Sequence, residues 1–351
     1  MTEAADRQQF EIGLFTFGEL TADAATGALL PPARRLREFI ELARIADQAG
    51  LDVFGVGEHH RPDFSIASPA VVLAAIAEAT TRIRLTSTVT VLSTSDPVKV
   101  FEDFTAVDLI SDGRAEITAG RGAYTESFPL FGHDLSDYDE LFEEKLDLLL
   151  RLNSSERVTW QGRHRPSLQD VGVYPRPVQS QLPVWIAVGG TPASVARAGR
   201  LALPTYFAIL GKPEGFVPLA RYYRETGAAA GHHATALRLG VTSHFHVGST
   251  TQAARDTFYP YYSRYIGMNM PSARGVALPR DAFDAWAAPR GALFAGSVQE
   301  VTEKILWEHE ILGHTRFLAQ IGLGGLPFAE TAASIELLAT EVLPAVRRAL
   351  A

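Results

Sequence analysis

Two histidines stand side by side at His59-His60, directly after Glu58 and directly before Arg61. An imidazole changes charge near neutral pH and so suits proton transfer at a ligand site. Neighbouring strand residues point to opposite faces, so His59 and His60 cannot both face one site while they remain in a strand. Glu58 could orient His59; a plain salt-bridge role is the simpler reading and is preferred. Arg121 lies between Gly120 and Gly122. A guanidinium pairs with phosphate oxygens, and flanking glycines let the backbone approach an anion. A surface arginine on a turn would carry the same residues. Gly189-Gly190-Thr191-Pro192 opens a helical pattern that includes Ser194. Proline suits the first helical turn, and free N–H groups at a helix start favour an anion. An ordinary glycine turn with a capping threonine also fits. Gly324 and Gly325 could add to a phosphate cradle or form a simple turn before the last helix. His244 and His246 alternate, so they share one face of a strand. A His-x-His pair can bind a metal, but a metal-dependent barrel hydrolase needs carboxylates and further histidines. The segment ending in Gln320 offers glycines instead of an aspartate, so no metal is expected and a polar lining pair is the preferred reading.

These residues fall at the ends of short apolar runs that alternate with helical patterns. The expected strands are Glu11–Phe17, Asp52–Gly57, Ile83–Leu92, Ala115–Gly120, Val184–Val188, Thr205–Leu210, Leu237–Val247 and Arg316–Ile321. Between them lie helices near Arg34–Ala49, where Leu36, Phe39, Ile40, Ala43 and Ala46 recur at helical spacing, and near Pro69–Thr80, Pro97–Ile110 and Tyr138–Leu152. The stretch after Leu152 reads as irregular. The last helix carries Ile335, Leu338, Val342 and Val346, and Pro344 should kink or break it. Strand–helix alternation predicts parallel strands with right-handed crossovers. No Gly-rich GxGxxG turn follows the first strand, which argues against an open doubly wound sheet. The expected fold is α/β, a single (β/α)8 TIM barrel spanning residues 1–351, with an insertion or lid region at 267–295 before the last helix–strand unit. Met268, Met270 and Trp286 in that region are candidates for the substrate pocket.

The chain has 351 residues, a formal net charge of −8 and no cysteine. The acidic balance disfavours nucleic acid and anionic membrane surfaces, and thiolate and disulfide chemistry are excluded. The opening MTEAADRQQF lacks the apolar core of a signal peptide, and no run approaches a membrane span. A cytoplasmic enzyme is expected.

The segments GlyValGlyGluHisHis, ThrValLeuSerThrSerAspProVal and AlaGlyArgGlyAlaTyr, with the closing GluValLeuPro, resemble the bacterial luciferase-like, flavin-dependent monooxygenase family. Each motif alone is weak; four in order at successive strand ends are specific. The resemblance runs from about Glu11 to Pro344. It is clearest up to Leu152 and patchy from Gly211 to Gly296. It implies that His59 is the catalytic histidine, that Arg121 contacts the flavin phosphate and that Tyr124 packs beside the flavin. It places a non-prolyl cis peptide at Thr88-Val89 beneath the flavin ring. The luciferase subunits carry a Glu-Ser pair near Gly189, where this chain departs; backbone contacts from Gly189, Gly190, Thr191 and Ser194 survive that change. The implied activity is that of a flavin-dependent oxidoreductase, most simply a monooxygenase using reduced FMN and O2 on a small organic substrate. A separate flavin reductase would supply the electrons, and the barrel would form a homodimer. Deazaflavin F420 is the close alternative. A metal-dependent hydrolase on the same fold and a non-catalytic flavin-binding subunit are the other classes; metal analysis and turnover separate them.

Overall fold

A computed structural model describes residues 9–22, 27–122, 124–269 and 275–351. Met270 lies outside the described residues. The strands are β1 (Glu11–Thr16), β2 (Val53–Val56), β3 (Arg84–Ser87), β4 (Thr90–Val91), β5 (Ala115–Gly120), β6 (Arg157–Trp160), β7 (Leu168–Gly172), β8 (Val184–Val188), β9 (Thr205–Ala208), β10 (Leu239–Gly248), β11 (Phe294–Ser297) and β12 (Arg316–Gln320). The helices are α1 (Pro32–Ala49), α2 (Pro69–Ala79), α3 (Pro97–Ser111), α4 (Ser127–Leu130), α5 (Tyr138–Ser154), α6 (Pro192–Arg200), α7 (Val217–Ala229), α8 (Thr251–Asn269), α9 (Arg280–Trp286), α10 (Val298–Leu312), α11 (Phe328–Leu337) and α12 (Leu343–Leu350). Strands pair in the order β11-β10-β12-β1-β2-β3-β5-β8-β9, with β4 on β5, and β9 pairs β10 to close the circuit. The result is the expected closed barrel of eight parallel strands with flanking helices.

The chain divides into two compact units. The first holds the segment ending at Leu14, Gln48–Val53 and Val188–Ala351; the second holds Phe15–Asp47 and Phe54–Ala187. In the second unit, α1 buries Phe39, Leu42, Ala43 and Ala46 along one stripe. Asp47, at its end, accepts the backbone N–H groups of Thr81, Arg82 and Ile83 and so fixes the entry into β3. Asp96 caps α3 by accepting from Val98 N at 2.9 Å and Lys99 N at 3.3 Å, with Pro97 in the first turn. Phe101 and Phe104 on α3 are fully covered; truncating either would cost about 3–5 kcal/mol.

Two expectations are corrected. The run Ile83–Leu92 is two short strands rather than one, broken at Ser87–Thr90. The stretch after Leu152 contains an antiparallel hairpin, β6–β7. Its first strand buries Val158 and Trp160 and exposes Arg157 and Thr159; that alternation is a strand signature hidden by the prolines and glutamines around it. Between β10 and α10 the chain forms α8, which starts at Thr251, and a further strand, β11, parallel to β10. Pro260 inside α8 masks the stripe of Ala254, Phe258, Tyr262, Tyr265 and Ile266 that this helix buries. The last helix is broken at Pro344 as expected: a π-helical turn at Leu338–Val342 ends α11, and Pro344 sits in the first turn of α12.

Candidate active site

In the second unit, β2 ends at Val56 and the chain continues through Glu58, His59 and His60. The His59 backbone N–H donates to Ile66 O at 2.9 Å, which holds the segment against the loop that follows. The His59 ring is packed edge-on by Phe17, centroid to centroid 4.6 Å, and by Tyr124 at 5.1 Å, and is tilted against Phe64 at 4.3 Å. Its Nε2 is buried and has no hydrogen-bond partner. Burial, with help from Arg61, lowers its pKa to about 4, so the ring is neutral at pH 7. His60 opens onto the same small cleft as His59, and its Nε2 lies 2.9 Å from Glu58 Oε1. Glu58 Oε2 accepts the Val91 N–H at 2.9 Å. Glu58 is therefore bound to His60 and anchors β4, and it does not orient His59.

The Thr88–Val89 peptide bond is cis, as the resemblance implies. Around it, the hydroxyls of Thr88, Thr90 and Ser93 are buried without partners. A Cβ on Gly120 would sit 2.5 Å from Val89 Cγ2, and one on Gly57 would sit 2.9 Å from Thr88 O, so both glycines are required for the close approach of β2 and β5 to this segment. That cleft is lined by His59 and His60 together with Glu58, Val91, Gly122, Tyr124, Glu126 and Ser127. Tyr124 is half-buried, and burial raises its phenol pKa.

Arg121 forms an ion pair with Asp139 and its guanidinium lies 4.9 Å from the Tyr138 ring centroid. It is mostly covered, at 19% exposure, whereas Asp139 is 73% exposed. The structure thus brings His59, Tyr124, Thr88 and Val89 into one neighbourhood and gives Arg121 an exposed carboxylate that an incoming anion could replace.

Several neighbours went unread in the sequence. Arg61 chelates Asp63 at 2.7 and 2.9 Å and lies over the Tyr124 ring at 4.4 Å. Phe17 and Phe64 wall the histidine. Lys145 Nζ donates to Ser93 O at 2.7 Å and holds the loop after β4; burial lowers its pKa to about 8. Arg61 directly follows the histidine pair and was legible; Lys145 reaches Ser93 across 52 positions, and local sequence carries no trace of that contact.

The first unit holds the remaining candidates. Thr191 precedes α6 without capping its backbone; its hydroxyl donates to Ser194 Oγ at 2.8 Å. A Cβ on Gly189 would meet nothing within 4 Å, so that face is open. Gly324 has a different reason to be glycine. A Cβ there would lie 1.9 Å from Tyr261 O in α8, a demand of helix packing; Gly325 adopts φ +81°. His244 Nδ1 lies 2.9 Å from Tyr262 Oη, and His246 stacks on Phe258 at 5.3 Å. Burial lowers both histidines to about 4. Trp286 packs into the same aromatic cluster, while Met268 is 39% exposed. Among the described residues, a grouping suited to a metal occurs at Asp137, Glu140 and His164, on either side of the Arg121 partners Tyr138 and Asp139 in sequence.

The model of luciferase-like monooxygenases matches residues 10–315. The chain belongs to the luciferase-like monooxygenase family. Membership makes the protein an enzyme, a flavin-dependent oxidoreductase. This luciferase-like protein is 24% identical to the oxygenase component of the flavin-dependent trigonelline monooxygenase of Acinetobacter baylyi, over 88% of the chain and 89% of that relative. It is 31% identical to an F420-dependent glucose-6-phosphate dehydrogenase of Amycolatopsis mediterranei, over 47% of the chain and 51% of that relative. Its fold is like that of the monooxygenase RslO1 from Streptomyces bottropensis, with a TM-score of 0.83, 24% identity, and coverage of 95% of this chain and 99% of that one. No helix among the described residues is long and apolar enough to cross a membrane.

Proposed function

We propose that the protein is an FMN-dependent monooxygenase that acts with O2 on a small organic substrate, with His59 as its proton-handling residue. The observation that carries this reading is the buried, unpartnered Nε2 of His59, set in an aromatic wall in a chain of this family. A buried polar atom without a partner calls for a ligand or an ordered water. The unpartnered hydroxyls of Thr88, Thr90 and Ser93 beside the Thr88–Val89 bond suit the polar edge of a flavin ring, so these residues fit the group. Reduced flavin would supply the electrons with which O2 is activated.

The chain's own work is positioning, exclusion of water and proton handling. Phe17, Phe64 and Tyr124 shield the imidazole. A neutral His59 can accept a proton or donate its N–H to a reacting oxygen without the cost of burying a cation. Arg121 and, in the other unit, the start of α6 with Gly189, Gly190, Thr191 and Ser194 are each assigned as phosphate ligands. Gly325 is assigned as a lesser backbone contact, and Gly324 keeps that assignment only beside its packing role. A separate flavin reductase, a homodimer and a cytoplasmic location complete the proposal. The second reading is F420 in place of FMN, favoured by the F420-dependent relative above. Titration with oxidised FMN, reduced FMN and F420, followed by oxygen consumption with candidate substrates, tests both. Saturable FMN binding and substrate-dependent oxygen uptake are expected; binding of F420 alone would overturn the FMN assignment.

A further inference from the structure

A second group of unsatisfied polar atoms lies at the carboxyl ends of β10 and β12, inside the first unit. His244 and Gln320 are register partners on these parallel strands, so their side chains leave the same face, and His246 follows on that face. Their exposures are 8%, 3% and 3%. Gln320 Nε2 and His246 Nδ1 have no hydrogen-bond partner. A buried amide N–H without an acceptor is rare enough to need an explanation, and a ligand is one. The surroundings are aromatic. His244 meets Tyr262 at 5.4 Å and Tyr265 at 5.1 Å, and His246 stacks on Phe258 at an interplanar angle of 26°.

The His244–Tyr262 contact has a direction. Burial pushes the Tyr262 phenol pKa up, so the hydroxyl keeps its proton. Its hydrogen-bond partner is His244 Nδ1 at 2.9 Å. With the imidazole neutral, the hydroxyl donates to Nδ1 and the ring proton sits on Nε2. The face then offers two neutral donors, His244 Nε2–H and the Gln320 amide, and burial keeps His244, His246 and Tyr262 uncharged at neutral pH.

We propose that this face is the oxygen-binding part of the substrate site, taking a planar, uncharged organic molecule by its carbonyl oxygen. His244 and Gln320 donate to that oxygen, Tyr262 is the positioning residue that sets the His244 tautomer, and the aromatic rings wall the flat body. The proposal rests on the monooxygenase reading and names its substrate class. A carboxylate or phosphate would want a cation here, and none of the side chains named here supplies one.

The test uses the full chain without cofactor, so that its failure is distinct from a failure to bind FMN. Titration calorimetry compares 1-tetralone with tetralin, the same bicyclic skeleton lacking the oxygen. The ketone should bind roughly 3- to 10-fold tighter, the difference expected of one or two neutral hydrogen bonds. Gln320→Leu should erase most of that preference and leave tetralin affinity as it was. In Tyr262→Phe, the 15N signature of His244 should lose its Nε2–H preference, a change that loss of packing alone would not produce. The wild-type comparison stands if either variant fails to fold. Equal affinity for ketone and hydrocarbon, no saturable binding of the ketone, or a retained Nε2–H signature in Tyr262→Phe would overturn the proposal.

Discussion

Glu58 and His60 are bound to each other, Oε1 to Nε2 at 2.9 Å, and this pairing takes the carboxylate away from His59. The second oxygen of Glu58 holds the Val91 N–H, so one side chain ties the end of β2 to β4. Glu58→Ala should leave that buried N–H unpaired and cost about 1–3 kcal/mol of stability. Glu58→Gln, which can still accept from Val91, should lose less. Denaturant melts of the two variants check the order; equal losses would show that the backbone anchor is not what matters.

His59→Ala should lower turnover by about 10²- to 10⁴-fold while FMN affinity stays near that of the parent. Steady-state oxygen uptake and flavin titration, run on the same preparation, separate the two effects. Full activity would remove His59 from the mechanism.

Arg121→Ala should weaken FMN about 10- to 100-fold, the size of a lost charge-assisted hydrogen bond. Riboflavin, which has no phosphate, should bind the variant and the parent alike. Because Asp139 already pairs with Arg121, Asp139→Asn should move the other way and tighten FMN modestly. Parallel losses of FMN and riboflavin affinity in Arg121→Ala would assign the residue to loop packing.

Acid should destabilise the protein well before its carboxylates protonate. His59, His244 and His246 are lowered by burial to about 4, and His314 to about 3. A depressed histidine stabilises the fold above its unfolded pKa of ~6.5, and that contribution is lost as pH falls toward the folded value. Glu308, raised by burial to about 8, has the opposite sign, since its contribution is lost as pH rises from the ordinary carboxyl range toward 8. Between pH 6.5 and 4, four histidines therefore act against one glutamate, and the melting temperature should drop steeply. His314→Leu, at a fully buried ring, should flatten that slope. An unchanged slope would discharge His314 from the effect.

The barrel was legible because its alternation is long and repeated, and the strands around the site were found to within a few residues. The histidine pair, Arg121 and Tyr124 were legible as residue types at strand ends. What hid was of two physical kinds. The β6–β7 hairpin and β11 are short, and a single alternation of four residues is easily outvoted by neighbouring prolines and glutamines. The partners of the site residues are distant in sequence: Glu58 reaches Val91 across 33 positions and His244 reaches Tyr262 across 18. Periodicity says which face a side chain occupies, and nothing about whom it meets there. Gly324 shows the same limit, since a glycine pair after a strand suggested an anion site while its neighbour is the carbonyl of Tyr261.

That close approach also governs how the region can be re-engineered. With α8 in place, no side chain, not even a methyl group, fits at position 324. A chimera that imports a different insertion between β10 and α10 must either keep a helix backbone at the height of Tyr261 and retain the glycine, or withdraw that backbone and free the position to vary. Insertion and turn can be exchanged only as a set, so a library that randomises one while holding the other fixed will be dominated by misfolded clones.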